Sequence, residues 1–166
     1  MNPDEIHAFH QQLASRNLHI AFAESITAGL LAATVASVSG ASAVLKGGVV
    51  TYDKALKVSL LGVKQETLDA FGAESQQTTL EMAQGLAKRI PEAELVLSIT
   101  GSASPSVNAY QMSAPAGSVF VCVGMGGTYR SFETVLVGSR SEVLQGAVRF
   151  AMGCVEEFLS KTQNLQ

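Results

Sequence analysis

Two spacings alternate along the chain, one of about 3.6 residues and one of short continuous apolar runs. Ile6, Phe9 and Leu13 fall on one stripe of Pro3 to Arg16, with Pro3 in the first turn, and predict an amphipathic helix. The run His19 to Ala23 predicts a buried strand that ends at the polar group Glu24-Ser25-Ile26-Thr27. Helical spacing then runs from about Ala28 to Val38, for which Ser25 or Thr27 is a natural N-cap. Gly47 to Tyr52 reads as a second strand, followed by Asp53 as the cap of a helix over Lys54 to Leu61. Gly62 breaks that helix. A short helix follows from about Gln65 to Phe71, then a longer one from Gln76 to Ile90, closed by Pro91.

Leu95 to Thr100 is apolar and continuous, as an interior strand covered on both faces would be. Gly101 to Gly117 is rich in Ser, Pro, Ala and Gly, without periodicity. Ser118 to Val123 and Tyr129 to Val137 read as strands joined in a hairpin through Gly124 to Gly127, and Ser141 to Ser160 as a closing helix with Val143, Ala147, Phe150, Val155 and Phe158 inward. The pattern predicts an α/β protein: a three-layer α/β/α sandwich around a mixed, mostly parallel sheet, in one domain over residues 1–166.

Composition narrows the function. The 166 residues are 47% hydrophobic and 15% charged, with a net charge of −3, which argues against a nucleic-acid partner. Cys122 and Cys154 stand among apolar neighbours and read as reduced core residues. No apolar run is long enough for a membrane span and no basic leader opens the chain, so a cytoplasmic location and no membrane partner are expected. His7, His10 and His19 lack acidic or cysteine companions and read as surface residues, so no metal and no cofactor are expected.

Ligands of open α/β sheets gather at the C-terminal ends of strands. Four polar segments follow apolar strands in this chain: Glu24 to Thr27, Tyr52 to Lys57, Thr100 onward, and Gly138 to Arg140. Ser25 to Gly29 places hydroxyls at a helix N-terminus, which suits either an anion or ordinary capping. The segment after Thr100 has the length of a binding loop. Lys54 and Lys57 are helical neighbours, and a second cation together with burial would lower the proton affinity of Lys57, fitting it to act as base toward a serine; two solvated lysines are the plainer reading. Ser42 is the nearest candidate hydroxyl.

The stretch from Ala23 to Ala32 (AESITAGLLA) resembles the signature Ala-Glu-Ser-Cys-Thr-Gly-Gly-Leu of the CinA C-terminal family. The likeness continues through Gly40 to Tyr52, Lys57 to Val63, Thr67 to Ala73, Ser98 to Gly101, Gly117 to Val119 and Gly138 to Arg140, in the family's order. The resemblance implies an α/β/α sandwich, commonly oligomeric (dimer or higher), that needs no metal. It also implies a nicotinamide-nucleotide amidase, which converts nicotinamide mononucleotide and water to nicotinate mononucleotide and ammonia in pyridine nucleotide salvage. By motif position it implies Ser42 as nucleophile and Tyr52 and Lys57 as its proton-handling partners. Ser25, Thr27, Gly48, Thr100 and Arg140 would be substrate-binding residues, with Arg140 on the anionic part.

The chain departs from the family at the ligand loop. The family's Thr-Gly-Ile-Ala-Gly-Pro-Gly-Gly is here Thr100 to Val107 (TGSASPSV), its Lys-Pro-Val-Gly is Ala114 to Gly117 (APAG), and the aspartate of its Gly-Asp-Arg is Ser139. Fewer glycines stiffen such a loop. The alternative reading is therefore a catalytically impaired paralogue that binds a nucleotide or a protein partner.

Overall fold

The apolar run after the first helix forms strand β1 (Ile20–Glu24), every residue of which is buried. In the computed structural model, which describes residues 1–105 and 113–162, β1 pairs in parallel with β2 (Leu45–Val50) on one side and β3 (Leu95–Gly101) on the other. An antiparallel hairpin of β4 (Ser118–Met125) and β5 (Thr128–Val135) extends the sheet from β3, giving the order β2-β1-β3-β4-β5. Only β4 runs against the other strands. Gly126 and Gly127 turn the hairpin with φ of 58° and 82°, the positive pair that a two-residue turn of this hand requires. Residues 106–112, within the segment expected to be irregular, lie outside the described residues.

Alternation along the interior strands sorts the core into two layers. Ile20, Phe22, Leu95, Leu97, Ile99, Val119 and Val121 face helices α1 (Pro3–Ala14), α2 (Leu30–Ala36) and α6 (Arg140–Thr162). Ala21, Ala23, Val96 and Cys122 face α3 (Lys54–Leu61), α4 (Gln65–Phe71) and α5 (Gln76–Arg89). The three-layer α/β/α sandwich expected from the sequence is the observed architecture. Cys122 and Cys154 are buried, free thiols on opposite sides of the sheet, and burial pushes them up to about 11 and about 12 respectively. Among the described residues no helix is long and apolar enough to cross a membrane.

Three local readings change. His10 is buried, its Nε2 2.9 Å from the Val35 carbonyl, and so ties α1 to α2 rather than facing water. The helix α1 ends at Ala14, two residues early, and opens with a capping box between Asn2 and Glu5. The helix α2 starts at Leu30 instead of Ala28, for a reason that belongs to the site below.

The small residues β1 turns toward α5 let helices pack closely there. A Cβ at Gly85 of α5 would stand 1.8 Å from the Leu61 carbonyl oxygen of α3, whereas one at Gly153 of α6 would meet nothing within 4 Å. Gly85→Ala is expected to lower the unfolding free energy by about 1–3 kcal/mol through overpacking. Gly153→Ala should raise it by roughly 0.5–1 kcal/mol through helix propensity. Chemical denaturation of both variants checks the contrast.

Candidate functional site

The C-terminal ends of β1 and β2 converge on one buried cation. Asp53 caps α3, its Oδ1 accepting from Ala55 N–H at 2.7 Å, and Lys57 lies one turn into the helix. The Lys57 side chain points into the protein and is only 1% exposed. Its Nζ donates to Ser25 Oγ at 2.9 Å, to the Thr51 carbonyl at 2.6 Å and to the Tyr52 carbonyl at 3.5 Å. Three N–H bonds thus meet three acceptors, as a buried ammonium requires. Burial lowers the Lys57 pKa from its ordinary 10.5 to about 8; Glu74 and then Asp53 oppose the shift, and Lys54 adds to it least. The two causes expected from the sequence, burial and Lys54, both act, and burial dominates.

Ser25 is held as firmly as Lys57. Its N–H donates to the Ile99 carbonyl of β3 at 3.0 Å, and its own carbonyl accepts from Ala28 N–H at 3.1 Å. The turn after it is shaped by Glu24, the last residue of β1 and 1% exposed. One Glu24 carboxylate oxygen accepts from the N–H of Gly29 at 2.9 Å and of Leu31 at 3.1 Å, and the other from that of Ala32 at 2.9 Å. These are the free amides of the first turn of α2, so the carboxylate does the capping that Ser25 or Thr27 was expected to do. To reach it the chain passes through positive φ at Ala28 (50°) and Gly29 (97°), which delays the helix to Leu30. The helix N-terminus that suited either an anion or ordinary capping is therefore occupied by the protein's own carboxylate.

The expected site residues divide accordingly. Ser25, Lys57 and the backbone of Tyr52 come together. Ser42 does not: it is exposed, in the short 3-10 turn Ala41–Ala43 that precedes β2, while Lys57 lies beyond the other end of that strand. The expectation that Ser42 meets Lys57 is corrected on this ground, since β2 runs between them. Tyr52 is 56% exposed and turns its hydroxyl to Arg140, whose guanidinium donates to it at 3.1 Å and to Ser104 Oγ at 3.0 Å. Tyr52 thus offers Lys57 a carbonyl, and its phenol belongs to an exposed cluster with Arg140. Thr100 is fully buried and donates to the Ala73 carbonyl at 3.0 Å, which makes it a structural tie instead of a wall of the site. Gly48 sits within β2, where a Cβ would come 2.5 Å from the Phe22 carbonyl oxygen; it permits close pairing with β1. Thr27 lies in the turn after Ser25, with its hydroxyl buried and unpartnered among the described residues.

Two acidic residues were missed. Glu24 carried a signal, a carboxylate closing an otherwise apolar strand just before a helix. Glu74, buried at the entrance to α5, carried none, because the contact that holds it comes from the distant Ser113.

The profile of the CinA C-terminal domain matches residues 4–159. A CinA-like protein from Petrotoga mobilis is 39% identical over 142 residues, 86% of this chain and 34% of its own length. A protein from Mycoplasma pneumoniae is 39% identical over 152 residues, with 91% of this chain and 94% of that one covered. The chain thus spans about a third of the length of several relatives it matches, and nearly all of another. Among solved structures, a competence damage-inducible protein A from Klebsiella pneumoniae superposes with a TM-score of 0.87 at 28% identity, covering 96% of this chain and 98% of that one. A competence/damage inducible protein from Agrobacterium tumefaciens gives 0.82 at 31% identity, covering 95% and 97%.

The buried lysine has a thermodynamic signature. Between about pH 8 and its ordinary 10.5, Lys57 is protonated in the unfolded chain and neutral in the folded one. The unfolded state then binds more protons, so this group makes stability rise with pH through that window, and its cost is fully present below pH 8. The unfolding free energy of the wild type minus that of Lys57→Met is expected to increase across the window. Denaturant titrations at intervals of pH measure it, and a flat or falling difference would contradict the depressed proton affinity.

Proposed function

The chain belongs to the CinA C-terminal domain family, and from that premise we propose that it hydrolyses the carboxamide of nicotinamide mononucleotide with Ser25 as nucleophile and Lys57 as its base. The observation that carries this reading is the 2.9 Å contact between Lys57 Nζ and Ser25 Oγ, made by a lysine whose burial depresses its proton affinity. When Lys57 is neutral, two N–H bonds serve the carbonyls of Thr51 and Tyr52, and the remaining lone pair faces Ser25 Oγ. The carbonyls orient the base. That is the Ser-Lys form of an activated nucleophile.

In the proposed reaction, Ser25 Oγ attacks the carboxamide carbon as its proton passes to Lys57 Nζ. The C–N bond of the tetrahedral intermediate then breaks, and Lys57 returns the proton to the leaving nitrogen, which departs as ammonia. Water, deprotonated by the now neutral Lys57, attacks the ester; the bond from the acyl carbon to Ser25 Oγ breaks, Lys57 returns the proton to that oxygen, and nicotinate mononucleotide leaves. The negative oxygen of each intermediate needs N–H donors. The amides of Ile26 and Thr27 next to the nucleophile have no acceptor among the described residues and are the donors assigned to it. Arg140, exposed and anchored by Tyr52 and Ser104, is assigned to the phosphate.

Ammonia release from nicotinamide mononucleotide should be abolished by Ser25→Ala, reduced by at least about 100-fold by Lys57→Ala, and left intact by Ser42→Ala. For the wild type, kcat/KM should climb to a plateau with a midpoint near pH 8, where Lys57 loses its proton. No ammonia at high enzyme concentration, with thermal stabilisation by the nucleotide that Ser25→Ala leaves unchanged, would favour the non-catalytic reading instead.

Arg140→Ala should raise KM for the nucleotide by roughly 10- to 100-fold, the worth of a charge-assisted hydrogen bond. It should change kcat much less. Steady-state kinetics separate the two, and an unchanged KM would remove Arg140 from the phosphate site.

A further inference from the structure

Arg140 carries a positive charge that no acidic side chain answers: among the described residues it makes no ion pair. Its guanidinium is held instead by two neutral oxygens. Nη2 donates to the Tyr52 hydroxyl at 3.1 Å, and Nη1 donates to Ser104 Oγ at 3.0 Å. Tyr52 follows β2 and Ser104 follows β3, and in the sheet these two strands flank β1, at whose end Ser25 lies. The guanidinium therefore ties together the segments on either side of the turn that carries the nucleophile.

Both anchors are themselves fixed. The Tyr52 carbonyl accepts from Lys57 Nζ at 3.5 Å, so the residue that orients the base also orients Arg140. The Ser104 carbonyl accepts from Ser102 Oγ at 3.1 Å. Ser102 is fully buried, with its N–H donating to the Ser118 carbonyl at 2.9 Å and its carbonyl accepting from Gly117 N–H at 2.6 Å. Ser104 thus stands on a turn fastened to the start of β4.

An arginine has five N–H bonds; two serve these hydroxyls and three remain. A hydroxyl that accepts from a guanidinium keeps its own hydrogen to give, and neither Tyr52 nor Ser104 gives it to an acceptor among the described residues. The cluster is a set of N–H and O–H donors around one positive charge, without a carboxylate of its own. That composition suits a phosphate monoester, which brings roughly two negative charges and three acceptor oxygens. The Ser104 hydroxyl is this chain's own contribution, since the family's motif has glycine at that position.

We propose that Ser104 is a specificity-determining residue: with Tyr52 it holds Arg140 and completes a cradle that selects a nucleotide ending in a phosphate monoester over the corresponding nucleoside. The proposal deepens the assignment of Arg140 to the phosphate and rests on it. A guanidinium already held by two hydroxyls loses little side-chain freedom on meeting the phosphate. A site built of polar donors also rejects an analogue that leaves them unpaired.

Calorimetric titration with nicotinate mononucleotide and with nicotinate riboside, which lacks only the phosphate, tests the cradle without turnover. The wild type should bind the mononucleotide at least about 100-fold more tightly than the riboside. Ser104→Ala should cut that preference by about tenfold, the worth of one hydrogen bond to a charged group, while Ser104→Thr, which keeps the hydroxyl, should restore most of it. Tyr52→Phe, which removes only the oxygen, should cut the preference similarly and carries the test if Ser104→Ala does not fold. An unchanged preference in Ser104→Ala, whether or not both affinities fall together, would show that the hydroxyl only shapes the turn and would overturn the proposal. So would a wild type that binds the two ligands alike or binds neither. Ammonia release from nicotinamide mononucleotide, measured alongside, keeps the two readings apart. Preference without ammonia supports the cradle and ends the hydrolytic reading, whereas ammonia without preference ends the cradle and leaves Ser25 and Lys57 standing.

Discussion

An ammonium group can be taken out of water only if the fold supplies an acceptor for each of its N–H bonds. Lys57 is buried on that condition, and the condition governs how the C-terminal ends of three parallel strands are arranged. Two acceptors are carbonyls at the end of β2, the third is the hydroxyl at the end of β1, and the backbone of that hydroxyl's residue is pinned to β3. Here the condition is met where adjacent parallel strands end side by side. In the proposed reaction the carbonyls also orient the base, because they claim the N–H bonds of the neutral amine and leave its lone pair for Ser25.

Glu24 keeps that hydroxyl in place. Buried carboxylates are tolerated when several N–H groups point at them, and the first turn of α2 provides three. The result is a rigid turn in which positive φ at Ala28 and Gly29 carries the chain from strand to helix with Ser25 at its start. The second layer of helices contributes differently. Small side chains on the α5 face of β1 admit a closely packed α3, and α3 is the helix that delivers Lys57. Packing on one face and hydrogen bonding on the other thus meet at one pair of atoms.

Much of this was legible in the sequence. The apolar strands, the paired glycines of the hairpin, Asp53 as the cap of α3 and the α/β/α layering all follow from local pattern, because each depends on near neighbours or on burial of a whole face. The convergence of polar segments at strand ends was legible too. What local pattern does not show is which serine meets Lys57. Ser42 precedes β2 and Ser25 follows β1, so the strand-end rule, applied to both, favours Ser25. The start of α2 was misplaced because a side chain five residues upstream of Gly29 caps the helix, where pattern reading looks for a neighbouring hydroxyl. Thr100 looked like a ligand residue and is a tie to the turn of Ala73, a contact 27 residues away in the chain that no local pattern reveals.

The central claim is that Ser25, activated by Lys57, forms an acyl intermediate. Acid quenching during turnover of nicotinamide mononucleotide, followed by peptide mapping by mass spectrometry, tests it most directly. A nicotinate mononucleotide ester carried on the peptide that contains Ser25 is the predicted result. Turnover with the ester on Ser42, or with no covalent adduct at any quench time, would contradict it.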